Sequence, residues 1–125
     1  MIDNKPQAVS SPEDLRRRTK AFALRVIKLF RALPKTEEAR VLGRQVLRSG
    51  TAVAANYRSA CRARSRADFI SKIGITVEEA DETGFWLELI VDAGIIKKSK
   101  LESLMVVADE LVRIFQSTRT TARSR

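Results

Sequence analysis

Arginine is the side chain in this sequence with the most chemistry to offer. Between Thr36 and Phe69 the arginines recur at helical spacing. At 100° per residue Arg40, Arg44, Arg58 and Arg62 fall within about 40° of one another, and Arg48 lies just beside them. At 1.5 Å per residue the row from Arg40 to Arg62 would be ~33 Å long. Arg64 and Arg66 continue the charge at the end of the stretch, and Arg16-Arg17-Arg18 adds a second cluster. A guanidinium is a planar fork that holds a phosphate or carboxylate by two parallel hydrogen bonds. The chemistry on offer is therefore recognition of a polyanion, with Arg40, Arg44, Arg48, Arg58, Arg62, Arg64 and Arg66 as the candidate nucleic-acid-binding residues. No aromatic residues alternate with the arginines for base stacking, and Asn and Gln are few. Contact with the backbone and shape of RNA or DNA is expected, with little reading of sequence. An acidic protein would satisfy the same row.

Other chemistries find little support. The chain has no histidine, which removes zinc sites of the usual Cys/His kind, His-based triads and a histidine general base. Its single cysteine, Cys61, cannot form an intrachain disulfide and sits at the edge of an apolar face, where it reads as a small packed hydrophobe. The acidic group Glu78, Glu79, Asp81, Glu82, Glu88 and Asp92 lacks the Glu-x-x-His pattern of a metal-binding bundle. Glu78, Glu79 and Glu82 point away from the apolar seam and are expected to pair with arginines of a neighbouring helix or subunit. No glycine-rich phosphate loop is present and no serine has an evident base. A non-enzymatic protein without cofactor or metal is expected.

Charge is segregated along the chain. Residues 1–67 carry a net +11, residues 68–112 a net −6 and residues 113–125 a net +4, within a total of +9. Such a surplus suits a strongly anionic partner. The 125 residues fit one domain. No apolar run approaches the ~18 residues of a membrane span, and the polar N-terminal stretch is unlike a secretory signal. A cytoplasmic protein without membrane association is expected.

The elements that must position the arginines are helices. Residues 1–10 are polar and aperiodic and read as a disordered arm. Ser11-Pro12-Glu13-Asp14 is a helix start. The first helix runs over 12–32 with Leu15, Phe22, Val26, Leu29, Phe30 and Leu33 on its apolar face, and Pro34 stops it. Thr36 caps a second helix over 37–63. Ser49-Gly50-Thr51 weakens it, yet Ala39, Val46 and Val53 keep one phase across the weak point. That predicts a continuous helix, with Gly43 and Gly50 admitting a close neighbour. Ser65 to Asp68 resembles a capping box opening a third helix over 66–93. Phe69, Ile73, Val77, Ala80, Gly84, Leu87 and Val91 form its seam. Ile75, Trp86, Leu89 and Ile90 form a second apolar side, assigned here to an oligomer interface. Gly94 stops that helix. Ser99 to Glu102 reads as a full capping box for a fourth helix over 100–117, and residues 118–125 as a disordered basic tail. With no strand pattern, the fold class is all-α: an antiparallel up-and-down four-helix bundle over residues 11–117.

At residues 33–90 the sequence resembles the small bacterial four-helix-bundle proteins of the S23-related family, encoded by intervening sequences within 23S ribosomal RNA genes. Leu33-Pro34-Lys35, Arg48-Ser49-Gly50, Ala54-Ala55-Asn56-Tyr57 and Glu78-Glu79-Ala80-Asp81-Glu82 leading to Trp86 carry the likeness. The chain is also similar to the accessory subunit of diversity-generating retroelements, a basic pentamer that binds nucleic acid and its reverse transcriptase. The resemblance implies protomers assembled into a homopentameric ring with a basic surface and no catalytic activity. Residues and resemblance together lead to a basic oligomeric bundle that binds RNA or DNA through its phosphate backbone. The alternative is a protein-interaction scaffold docking an acidic partner such as a reverse transcriptase.

Overall fold

Four helices make up most of the described residues, 11–125, in the computed structural model; the arm expected over residues 1–10 lies outside the described residues. The helices are α1 (Pro12–Ala32), α2 (Glu37–Cys61), α3 (Arg66–Asp92) and α4 (Lys98–Arg123), with no strand among the described residues. Three start where the sequence predicts. The Ser11 hydroxyl accepts the Asp14 N–H at 3.0 Å, that of Thr36 accepts Ala39 N–H at 3.3 Å, and that of Ser65 accepts Asp68 N–H at 3.0 Å. Each satisfies one of the orphan donors of a first turn. Only half of a capping box forms at Ser65, because the Asp68 carboxylate takes the Arg64 N–H (3.3 Å) instead of reaching the cap residue.

Helix stops follow the same local logic. Leu33, ahead of Pro34, is extended at ψ 146°. Gly94 adopts φ +74°. Its N–H reaches Val91 O at 3.0 Å while the Ile95 N–H reaches Ile90 O at 3.1 Å, so α3 ends in a Schellman motif.

α4 departs from expectation at both ends. Its N-cap is Lys97, which makes no side-chain cap bond, so the Ser99 box does not form and Ser99 is helical. At the other end the helix continues six residues past 117, so the segment expected to be a disordered tail is helical as far as Arg123. Arg66, at the start of α3, accounts for this: its Nε donates to Ala122 O at 2.8 Å and its Nη2 to Arg123 O at 3.0 Å. Carbonyls that water would otherwise solvate are capped by a cation from the neighbouring helix. The second and third helices end at 61 and 92, slightly short of the expected 63 and 93.

α2 packs between α1 and α3, and α3 between α2 and α4, whereas α1 meets α4 only narrowly. α2 is continuous through Gly50. A methyl at Gly50 would lie 2.7 Å from Val26 Cγ2, and one at Gly43 2.6 Å from Leu33 Cδ1, so both glycines admit α1 at close range. The core is made of Leu15, Phe22 and Val26 from α1, Val46, Val53 and Tyr57 from α2, Ile73 and Leu87 from α3, and Leu104, Leu111 and Phe115 from α4. Between α2 and α3 a polar pair crosses it: the buried Thr83 hydroxyl donates to Ser49 Oγ at 2.8 Å, and Ser49 donates to Gln45 O at 2.9 Å.

Candidate nucleic-acid interface

Because α2 spends its two flanks on α1 and α3, its third side remains in solvent, and the arginine row lies on that side. Arg40, Arg44, Arg58 and Arg62 are all exposed. None has a carboxylate within 4.0 Å among the described residues. They stand in two pairs, at the two ends of α2, separated by the smaller Thr51 and Ala55. Thr36 fixes the start of the helix and its continuity through Gly50 fixes the phase between the pairs.

Of the remaining three predicted arginines, Arg48 and Arg66 have internal duties. Arg48 bridges to α3, with Nη1 3.3 Å from Glu79 Oε1 and Nη2 on Glu82 Oε2. The acidic group of α3 thus pairs in part with an arginine of the neighbouring helix, as its outward phase suggested. Arg66 caps α4 as described, and Arg64 is exposed at the turn. Here Asp68 is held below its ordinary value of 3.8, first by the Arg64 N–H it accepts and then by Lys72, whose Nζ is 3.3 Å away. Four ridge arginines and Arg64 therefore face solvent without an ion-pair partner among the described residues, whereas Arg48 is ion-paired to α3 and Arg66 is hydrogen-bonded to the end of α4.

The proposed interface side of α3 requires one correction. Ile90 has no exposed surface and belongs to the protomer core. A helix packed on both α2 and α4 buries a wide arc, and Ile90 falls inside it. Ile75 is 39% exposed, and Trp86 and Leu89 are partly buried. The Trp86 indole N–H donates to Glu82 Oε2 at 3.0 Å, tying the ring to the Arg48 cluster. Phe85 was not among the expected residues, yet it is 49% exposed with its ring centroid 5.2 Å from that of Trp86. Its signal in the sequence is that it fits neither apolar side assigned to α3. Val41 of α2 is 51% exposed and lies off the apolar face of that helix, next to the arginine row. No described helix is both long and apolar enough to cross a membrane.

The sequence pattern of the 23S rRNA-intervening sequence proteins matches residues 14–117. Among solved structures, the chain is similar to a protein of unknown function from the S23 ribosomal protein family of Bacteroides thetaiotaomicron. The two are 35% identical, the match covers 87% of this chain and 97% of the other, and the TM-score is 0.82. No curated protein matches the chain.

Proposed function

Since the chain belongs to the 23S rRNA-intervening sequence protein family, we propose that it is a non-enzymatic, cytoplasmic, ring-forming bundle that binds RNA or DNA through the phosphate backbone. One observation carries this reading. Arg40, Arg44 and Arg58 share the solvent side of α2, Arg62 follows as its C-cap, and none of the four has an acidic partner among the described residues. Charged groups left unneutralised along ~33 Å of straight helix suit a partner whose charges also recur in a line. The binding is weak per arginine and additive along the helix. Several protomers in a ring, a pentamer on the family resemblance, would multiply it by avidity.

The test is a salt titration. Each neutralised phosphate releases condensed counterions, so log K falls linearly with log salt. Replacing Arg40, Arg44, Arg58 and Arg62 by glutamine should weaken binding equally across unrelated sequences. It should also flatten the slope by roughly 0.7 to 0.9 per lost contact. Identical slopes for wild type and variant, at matched oligomeric mass, would remove the ridge from the binding surface.

Val41 favours a second reading. A half-exposed valine beside the arginine row has no use against phosphates, but it suits an acidic protein partner, such as a reverse transcriptase, that offers an apolar patch next to its carboxylates. In that case the same four-residue variant loses a protein partner, and wild type binds nucleic acid only weakly at physiological salt.

A further inference from the structure

The narrow meeting of α1 and α4 leaves a groove at one end of the bundle, away from the outer side of α2. Arg18 of α1 pairs with Glu110 of α4, and Arg25 donates to Ser103 Oγ at 2.6 Å, which together hold the two helices along one stretch. Beyond the Arg18–Glu110 pair, towards Pro12 and the end of α4, a groove of about 1240 Å³ opens. Its apolar lining comes from all four helices, chiefly Leu15, Tyr57, Phe69 and Ile114. Tyr57 is buried, with its ring centroid 5.0 Å from that of Phe115. Burial, and then the neighbouring Cys61 thiol, push the phenol upward, so Tyr57 itself stays neutral. Arg16, Arg18, Arg113 and Arg125 also line the groove; Arg18 is paired with Glu110 and Arg113 with Asp109, which leaves Arg16 and Arg125 to meet an acidic partner. Arg16 is exposed and has no acidic partner among the described residues.

We propose that this groove takes an acidic amphipathic helix from a partner protein, laid between α1 and α4. Size, lining and charge each support that occupant. A helix ~10 Å across and ten residues long, ~15 Å, fills roughly 1200 Å³, whereas small-molecule sites usually lie between about 300 and 1,000 Å³. An incoming helix satisfies its own backbone, so it can place leucines at i, i+3, i+4 and i+7 on an apolar lining that offers few hydrogen bonds. Its flanking carboxylates would meet the arginine rim and add orientation and on-rate. A nucleic-acid duplex fits less well, because it would set phosphates beside Glu110 and keep its stacked bases away from the apolar lining. None of the four ridge arginines lines this groove, and the proposal does not depend on the reading of that ridge.

The experiment titrates the full chain against a fluorescein-labelled acidic peptide, with leucines at i, i+3, i+4 and i+7 and glutamates elsewhere, by fluorescence anisotropy. A scrambled peptide of the same composition is the control. The intact pattern should bind about tenfold or more tighter than the scramble, and Ile114→Glu should weaken it about tenfold. Arg16→Glu alters an exposed residue and keeps the fold testable; it should also weaken the peptide. Arg40→Gln and Arg44→Gln should leave the peptide curve unchanged, so failure of the ridge and failure of the groove are distinguishable. The proposal is overturned by absent or equal binding of the two peptides, or by an Arg16→Glu variant that binds like wild type. It is also overturned if Arg16→Glu and Ile114→Glu abolish binding of duplex DNA, which would assign the groove to nucleic acid. Peptide binding that arises only after removal of residues 2–10 would give the groove to the chain's own N-terminal residues and would equally overturn it.

Discussion

A methyl group at position 50 would meet Val26 at 2.7, 2.9 and 3.1 Å, the last distance to Cβ, which no side-chain rotation can move. Alanine there would gain up to ~1 kcal/mol of helix propensity. Overpacking against α1 costs typically about 1–3 kcal/mol, so Gly50→Ala should lower stability in urea unfolding. Pairing it with Val26→Ala should recover part of the combined loss, a coupling that a double-mutant cycle measures. Gly84 is the counter-case. Its nearest neighbour would be Ala108 Cβ at 4.0 Å, so Gly84→Ala should be neutral or stabilising by up to ~1 kcal/mol. The spacing of Gly43 and Gly50 with the apolar phase made their role legible in the sequence. The room at Gly84 was not, because it depends on how small the opposing residue of α4 is. Asp68 gives a residue-scale prediction in pH. Its folded value lies below 3.8, so its small contribution is present above the ordinary carboxylate value and is lost as pH falls through the folded value. Carboxyl NMR titration should show this, and Lys72→Met should raise the value only in part, because the Arg64 N–H is the larger cause.

At the scale of elements, tertiary contacts moved the boundaries that local signals had set. The basic segment after Phe115 has the composition of a tail, and nothing within it says that it continues as helix. The deciding partner is Arg66, 56 residues from Ala122 in sequence. Arg66→Gln should therefore speed amide hydrogen exchange over residues 120–123 and leave the exchange of α1 unchanged. The start of α4 is the complementary weakness. Lys97 occupies the N-cap without a side-chain bond, and no acid lies in the first turn. Lys97→Asp supplies both a cap acceptor and a charge that suits the helix dipole, and should raise stability by about 0.5–2 kcal/mol in thermal or urea unfolding. α3 shows why an apolar pattern can be read correctly and still be assigned wrongly. Its two apolar sides were visible, but a central helix needs both for its neighbours in the bundle, and Ile90 went to the core.

At the scale of the molecule, the basic outer side of α2 and the acidic, aromatic outer side of α3 lie next to each other on one protomer. An assembly that joins unlike faces of successive copies closes into a ring when the rotation permits. Light scattering should then give a mass several times 14.0 kDa, and Trp86→Glu should reduce it while most of the helical circular dichroism remains. A monomer at micromolar concentration would separate the bundle from any ring. The helical pattern carried the four-helix architecture, since each apolar face repeats at helical spacing and each connection is short. The openness of one seam was invisible, because periodicity describes faces and not how far apart two helices settle. That openness has a further consequence for the order of events in the cell. Because α1 and α4 scarcely touch, most of the helix–helix packing joins helices consecutive in the chain. Local contacts of this kind form in microseconds to milliseconds, while translation adds only about 5–20 residues per second. The pairing of Gly43 and Gly50 with α1 needs no residue of α3 or α4, so it can begin once both helices have left the ribosome. Each later helix can therefore begin to dock on the one before it as it emerges from the ribosome, and only the narrow seam of α1 with α4 must wait for the far end of the chain.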